Sequence, residues 1–199
     1  MPGPPVTTNQ YFRMPETLLP QELVYGVLRD AAAPTPGHQA VVGRFHLALA
    51  RHLERHASGQ VWLSPIDVVL DRTRHLIVQP DLIVLTDARL HLVSDRVWGA
   101  PDLVVEVLSP RPRIGTLEER LQWFAEYGVR ECWLVQHLSG QVDIRQFVGG
   151  SMSERLFERD QPIHSIVLPE FAESLASILG PSGSEFGWHS ASPPDQDEA

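Results

Sequence analysis

Two strongly apolar segments of the chain each carry acidic residues, and this feature restricts the possible folds most. Residues 77–85 read IVQPDLIVL and place Asp81 among Ile, Leu and Val. Residues 101–108 read PDLVVEVL, where Asp102 and Glu106 share one face of a strand because strand side chains alternate. Strands that are apolar on both faces usually lie in the centre of a sheet. An unpaired carboxylate is costly to bury there, so each acid needs a partner.

Two kinds of partner are compatible with these acids. A divalent cation such as Mg²⁺ takes oxygen ligands, often one or two carboxylates with water and substrate phosphate in the remaining positions. Alternatively, each acid lies at a strand end, where it pairs with an arginine or caps a loop. Asp102 fits this second interpretation best, because it directly follows Pro101 and can simply begin its strand. The residues alone leave both interpretations open for Asp81 and Glu106.

The hydrophobic pattern predicts one α/β domain with a mixed sheet and helices packed on its faces. Val41, Val42, Phe45, Leu49 and Leu53 recur at helical spacing, and Thr116 and Glu119 form a capping box at the start of a second helix. We predict strands or hairpins at residues 22–28, 61–70, 77–85, 102–108, 131–136 and 141–148, and helices at residues 38–56, 116–127 and near 169–179. Residues 1–15 are predicted to be a flexible arm, residues 16–179 the domain, and residues 180–199 a disordered acidic tail.

Composition narrows the functional classes. The chain of 199 residues has no apolar run long enough to cross a membrane and no signal-peptide pattern, so we expect a cytoplasmic protein without a membrane partner. Its single cysteine excludes an internal disulfide. The net charge of −9 works against non-specific binding of nucleic acids unless the basic residues cluster. All 16 basic residues are arginine, and the chain contains no lysine.

The segments QPDLIVL and PDLVVEVLSP, a capped helix and GVRECWLV together resemble the Uma-type endonuclease family of the PD-(D/E)XK superfamily. The resemblance runs from Glu22 to Phe171. It implies a restriction-endonuclease-like fold, with a central mixed β-sheet flanked by helices, and a site that cleaves phosphodiester bonds. In that scheme Asp81, Glu106 and the extra acid Glu22 bind the metal, Mg²⁺ or Mn²⁺ is the cofactor and DNA is the substrate.

The chain departs from the family pattern at the active-site lysine. The strand motif would place the lysine at Leu108, and the D-x-x-x-K pattern of the family would place Asp and Lys at Thr116 and Arg120. Arg120 lies beside the predicted buried stripe of its helix and can face the sheet. An arginine stays protonated and cannot act as a general base, although it can hold a phosphate. The alternative is that Arg120 is a solvated residue paired with neighbouring glutamates.

Further candidates are two arginines and two histidines. Arg111 and Arg113 follow the strand that bears Glu106, where a substrate phosphate is expected, although an ordinary surface loop explains them equally well. His52 and His56 lie four residues apart on the first long helix. Because no third ligand is evident, we predict that both are surface residues.

The sequence therefore predicts a Mg²⁺-dependent DNA endonuclease with Asp81, Glu106 and Arg120 as the catalytic residues. In this prediction Arg120 takes the place of the lysine and activity is weak. The alternative is a catalytically inactive module that keeps the nuclease fold for binding or assembly, favoured by the missing lysine and the negative charge. A homodimer is compatible with both.

Overall fold

The computed structural model describes residues 4–15, 20–30, 33–56, 58–108 and 117–180. The described helices are α1 (Thr8–Tyr11), α2 (Pro36–His56), α3 (Leu117–Tyr127) and α4 (Leu175–Leu179), with a 3₁₀ helix at Asp87–Leu92. The described strands are β1 (Gln21–Val24), β2 (Val27–Asp30), β3 (Gly59–Leu63), β4 (Val68–Asp71), β5 (Leu76–Val78), β6 (Leu82–Thr86), β7 (Val97–Trp98), β8 (Leu103–Val107), β9 (Glu131–Gln136), β10 (Gln141–Val148) and β11 (Ser151–Glu158). The α/β class is confirmed.

The strands form two mixed sheets. One has the order β2-β1-β5-β4-β7 and is antiparallel except between β4 and β7. The other has the order β11-β10-β9-β8-β6-β3 and is antiparallel except between β8 and β9. Glu22 therefore lies on the five-stranded sheet, whereas Glu106 lies on the six-stranded sheet.

The six-stranded sheet is covered on both faces. Val105 and Trp133 belong to an apolar cluster with Phe45 of α2. On the opposite face, Val104 belongs to a second cluster that includes Phe124 of α3 and several residues of the five-stranded sheet. Because both faces are buried, the central strands are apolar at almost every position, which explains the pattern seen in the sequence. Glu106 alternates with Val105 and so projects towards α3.

Two of the predicted strands are each divided between the two sheets. Residues 61–70 contain β3 and β4, and residues 77–85 contain β5 and β6. Pro80 and Asp81 interrupt the second segment, because proline lacks the N–H that a central strand needs. Hydrophobic periodicity alone does not separate one long strand from two short strands in different sheets.

Residues 4–15, part of the predicted flexible arm, contain a short helix and contact the five-stranded sheet. The turn of helix α1 begins with a capping box between Thr7 and Gln10, and the hydroxyl of Tyr11 donates to the carbonyl oxygen of Gln21 at 2.8 Å. Tyr11 and Phe12 pack on a third apolar cluster that includes the fully buried Leu23. Burial of these aromatic rings outweighs the loop-like composition. Residues 181–199, most of the predicted tail, lie outside the described residues.

The helices follow the predictions with small shifts. Helix α2 begins at Pro36, two residues before the predicted start, since proline is well suited to a first helical position. The predicted cap of α3 involves Thr116, which lies outside the described residues. His52 was predicted at the surface but is buried, with its ring centroid 5.4 Å from that of Phe171. Among the described helices, none is long and apolar enough to span a membrane.

Candidate active site

Four of the residues singled out in the sequence come together where the two sheets and α3 meet. Glu22 projects from β1, and Glu106 projects from β8. Asp81 lies in the connection from β5 to β6, and Arg120 lies on α3. These residues are far apart in sequence, so the grouping is a product of the tertiary fold.

Asp81, the residue just before β6, and Glu106 of the adjacent strand β8 are neighbours. Leu82 of β6 is paired with Val105 of β8 in antiparallel register. Continuing this register by one residue places Asp81 opposite Glu106. Side chains at directly opposite positions of antiparallel strands lie close together. Consistent with this register, Oδ2 of Asp81 accepts a hydrogen bond from the backbone N–H of Val107 at 2.8 Å.

Arg120 bridges two carboxylates from different sheets. Its Nη1 donates to Oε2 of Glu22 at 2.7 Å and to Oε1 at 2.9 Å. Its Nη2 and Nε donate to Oε1 of Glu106 at 2.6 and 3.1 Å. The side chain of Glu22 is only 1% exposed and that of Arg120 11% exposed, so the ion pair is shielded from water. The alternative of a solvated Arg120 is excluded.

Glu22 is also tied to the backbone of the segment that precedes Asp81. Its Oε1 accepts the N–H of Gln79 at 2.7 Å. The side chain of Gln79 in turn accepts the N–H of Gln21 at 3.1 Å and donates to Asp67 at 2.9 Å. Gln79 thus holds Glu22 in place and links β1 to the connection that carries Asp81.

His38, in the first turn of α2, contacts the other side of the site. Its Nε2 lies 3.1 Å from the carbonyl oxygen of Val107 and 3.2 Å from Oδ2 of Asp81. Because a carbonyl oxygen only accepts hydrogen bonds, Nε2 carries the hydrogen and donates it. The Nδ1 atom of His38 is buried and has no hydrogen-bond partner among the described residues. His38 therefore orients Asp81 together with the N–H of Val107.

Burial and crowding of charge shift the ionisation of the site. Burial raises the pKa of Glu106 to about 7, opposed by the Arg120 charge and reinforced by the nearby Asp81 carboxylate. Burial lowers the pKa of His38, but the hydrogen bond and the charge of Asp81 outweigh it, and the net pKa is raised. The pKa of Arg120 is also raised, because Glu106 and Glu22 outweigh its burial. Arg120 is therefore a permanent cation.

The chemistry of Asp81 and Glu106 fits a hard divalent cation. Both offer carboxylate oxygens. Burial and, to a smaller extent, the Asp81 charge raise the pKa of Glu106, and a cation between the two acids would remove their repulsion. Glu22 does not fit the same role, because both of its oxygens already accept hydrogen bonds. In the described parts of the chain, no group of three or more His, Cys, Asp or Glu side chains is arranged to hold a metal ion.

Asp102 serves the fold at the opposite end of β8. Its Oδ2 accepts the N–H and the hydroxyl of Thr86, both at 2.8 Å. Its Oδ1 lies 3.3 Å from Nε of Arg89 and 3.4 Å from Nη1 of Arg130. Asp102 is therefore the acid for which the interpretation of arginine pairing at a strand end is correct.

Sequence reasoning did not assign a role to two residues of this group. Gln79 acts on Glu22 through its backbone N–H, which any residue except proline would supply, so its side chain carries no signal of this role. His38, which opens the first long helix, is part of the family resemblance, but no role for it followed from the sequence. Arg111, Arg113 and Thr116 lie outside the described residues. Leu108, at the position where the strand motif has lysine, directly follows β8.

Comparisons with known proteins identify a family and a shared fold. A family model named Uma2 and described as "Putative restriction endonuclease" matches residues 8–177. A crystal structure of "a putative nuclease belonging to DUF820" from Anabaena variabilis is similar, with a TM-score of 0.76 at 17% identity. The match covers 87% of this chain and 97% of that chain, and at this identity it shows the shared fold alone. No curated protein matches the sequence.

Proposed function

Because the chain belongs to the Uma2 restriction endonuclease family, we propose that it is a Mg²⁺-dependent DNA endonuclease whose reacting centre is formed by Asp81 and Glu106. The observation that carries the proposal is the cross-strand pairing of these two acids at one end of β6 and β8. Two carboxylates side by side in a partly buried site are poorly stable as a pair of anions. They are the donor set that Mg²⁺ or Mn²⁺ uses when it also binds a phosphate.

The charge balance of the site supports a divalent ion. Glu22, Asp81 and Glu106 supply three negative charges when ionised, and Arg120 supplies one positive charge. The formal charge is −2 with His38 neutral and −1 with His38 protonated, so the site is negative in both states and attracts a divalent cation. Such a cation would polarise the scissile phosphate and lower the pKa of the attacking water.

Each protein residue has a distinct role in this proposal. Asp81 and Glu106 bind the cation, while His38 and the N–H of Val107 orient Asp81. Arg120 takes the lysine's place only as a fixed positive charge that holds Glu106, because it cannot accept a proton. The proposed contacts of Arg111 and Arg113 with substrate phosphates extend the prediction from the sequence.

Plasmid cleavage with added Mg²⁺ or Mn²⁺ tests the proposal. We expect Asp81→Asn and Glu106→Gln each to lower the cleavage rate by at least about 100-fold, because each removes a carboxylate that would hold the cation. Asp160→Asn is the matched control: Asp160 is exposed and follows β11, three strands away from β8. Cleavage that is equally fast in all four proteins would contradict the proposal.

One observation favours the second candidate, an inactive binding module with the nuclease fold. Nε, Nη1 and Nη2 of Arg120 donate to carboxylates. The chain has no lysine that could act in place of the family's active-site lysine. If the wild type binds Mn²⁺ but does not cut DNA, Arg120→Lys is the informative variant. Cleavage by that variant would identify the arginine as the cause of inactivity. The homodimer and the cytoplasmic location stay predictions.

A further inference from the structure

The hydrogen-bonding capacity of Arg120 is largely used inside the protein. Nη1 donates to both oxygens of Glu22, and Nε and Nη2 donate to one oxygen of Glu106. Arg120 is 9% exposed overall. A guanidinium group that donates several charged hydrogen bonds to two carboxylates in this way is a rigid cross-link. Its geometry suits the fixing of carboxylates better than the capture of a mobile phosphate.

Both oxygens of Glu22 accept hydrogen bonds from protein donors. Oε2 accepts from Nη1 of Arg120, and Oε1 accepts both from that atom and from the N–H of Gln79. The residue is 1% exposed, so a cation that bound Glu22 would have to compete with these buried donors. Removing a charged partner from a buried carboxylate is strongly unfavourable.

We propose that Glu22 is a positioning residue that anchors Arg120, and that Asp81 and Glu106 hold the divalent cation without it. Arg120, once anchored, fixes Oε1 of Glu106 and so sets the orientation of that carboxylate. Glu22 then supports the site from the five-stranded sheet through Arg120. This inference rests on the proposed function, because it concerns the cation assigned to that site.

The chain offers a variant that separates charge from coordination. Replacing Glu22 by Gln and Arg120 by Met removes one negative and one positive charge, so the formal charge of the site stays at −2. A change in cation affinity in Glu22→Gln/Arg120→Met therefore does not arise from net charge. A loss of affinity larger than the one expected from freeing Glu106 reports that a carboxylate at position 22 is itself a ligand.

Mn²⁺ binding, measured from the electron paramagnetic resonance signal of free Mn²⁺, provides the first test. We expect Asp81→Asn to weaken binding by more than about 100-fold, and Glu22→Gln/Arg120→Met to stay within about 10-fold of the wild type, the scale of a loss outside the ligands themselves. The single variant Glu22→Gln should weaken binding by about 10-fold as well, because Arg120 loses its anchor and the formal charge of the site changes from −2 to −1. A double variant as weak as Asp81→Asn would overturn the proposal.

Thermal unfolding in EDTA tests the anchor without any cation. We expect Arg120→Met to melt at least about 6 °C below the wild type, because it leaves two carboxylates without their partner. The double variant should recover at least half of that loss. If the decrease in melting temperature of the double variant equalled the sum of the decreases in Glu22→Gln and Arg120→Met, the two residues would not be coupled. That result would contradict the anchor role of Glu22.

The two measurements also separate this inference from the proposed function. If the wild type binds no Mn²⁺, the proposed cation site fails, and the assignment of its ligands fails with it. The unfolding data would still decide whether Glu22 anchors Arg120. If the wild type binds Mn²⁺ and the double variant does not, only the role given to Glu22 is wrong.

Discussion

Glu106 is the residue at which burial, repulsion and ion pairing meet. It faces α3 from a central strand, next to Asp81 and within hydrogen-bonding distance of Arg120. Its pKa of about 7 means that burial and the Asp81 charge together outweigh the stabilisation by Arg120. Because the carboxyl group of Glu106 is protonated more readily in the folded protein than in the unfolded chain, the free energy of unfolding depends on pH.

This connection predicts how Glu106→Gln changes the free energy of unfolding in EDTA. The pKa of Glu106 is higher in the folded protein, about 7, than its ordinary value of 4.5. Its contribution to stability is therefore fully present below pH 4.5 and is lost as the pH rises through 7. Gln lacks this titration, so from pH 4.5 to pH 8 the variant should gain on the order of 3 kcal/mol relative to the wild type.

Urea unfolding at both pH values provides the measurement. Asp160→Asn, at an exposed position, is the control for general effects of removing an acid. A difference between Glu106→Gln and the wild type that does not change with pH would contradict the raised pKa. Taking the difference between the two proteins cancels the titration of the acids that they share.

At the level of residues, the sequence identified the acids but not their connections. Asp81 and Glu106 stood out because carboxylates are rare in apolar strands. Nothing in the sequence indicated that Glu22 and Glu106 share one arginine, because the three residues meet only when both sheets are in place. The choice between a metal and an arginine as the partner of an acid is decided by tertiary geometry, and Arg120 serves two acids.

At the level of elements, helices and uninterrupted strands were predictable. Strands β9 and β10 occur at the predicted residues, since turn residues flank them. The division of residues 61–70 and 77–85 between two sheets was not predictable from periodicity, because both halves of each segment are buried and apolar. Strand β11 was anticipated only as a β-rich stretch, because most of its side chains are exposed and give no apolar pattern.

The backbone of Gly59, the first residue of β3, leads to a prediction about this strand. Its φ is +142°, and an added Cβ would lie 2.3 Å from the carbonyl oxygen of Leu85 on the paired strand β6. Gly59→Ala should therefore lower the free energy of unfolding by about 2 kcal/mol or more, through strain and a backbone clash. Urea denaturation measures the loss.

Gly43 in α2 is the matched control for that substitution. A Cβ at Gly43 would meet no atom within 4 Å, and the residue is exposed on a helix. Gly43→Ala should raise the free energy of unfolding by about 0.5–1 kcal/mol, because alanine is the better helix former. If Gly59→Ala raised the free energy of unfolding as Gly43→Ala is expected to, β3 would not approach Leu85 as closely as described.

At the level of the whole molecule, the N-terminal segment completes the core. Tyr11 and Phe12 cover the outer face of the five-stranded sheet, where Leu23, Val69 and Ile77 are buried. Composition gave no sign of this packing, because a proline-rich stretch with few apolar residues still supplied two aromatic rings. The capping pattern from Thr7 to Gln10 was the available signal of an ordered turn.

Deleting residues 1–12 should therefore lower the melting temperature and increase binding of a hydrophobic dye. The expected cost is about 1.5–3 kcal/mol for each aliphatic side chain that becomes fully exposed. Arg13→Ala, at an exposed position just beyond the deletion, is the control. A deletion variant that melts like the wild type would show that the segment adds nothing to the core.

The bridge from Glu22 through Arg120 to Glu106 joins three separate parts of the architecture: one sheet, a helix and the other sheet. A shift of one sheet against the other by even a few tenths of a nanometre would exceed hydrogen-bond range and break the bridge. The orientation of Glu106 therefore depends on how the two sheets are aligned. Any ligand, mutation or solvent that loosens the packing between the two sheets should change the orientation of Glu106 before the protein unfolds.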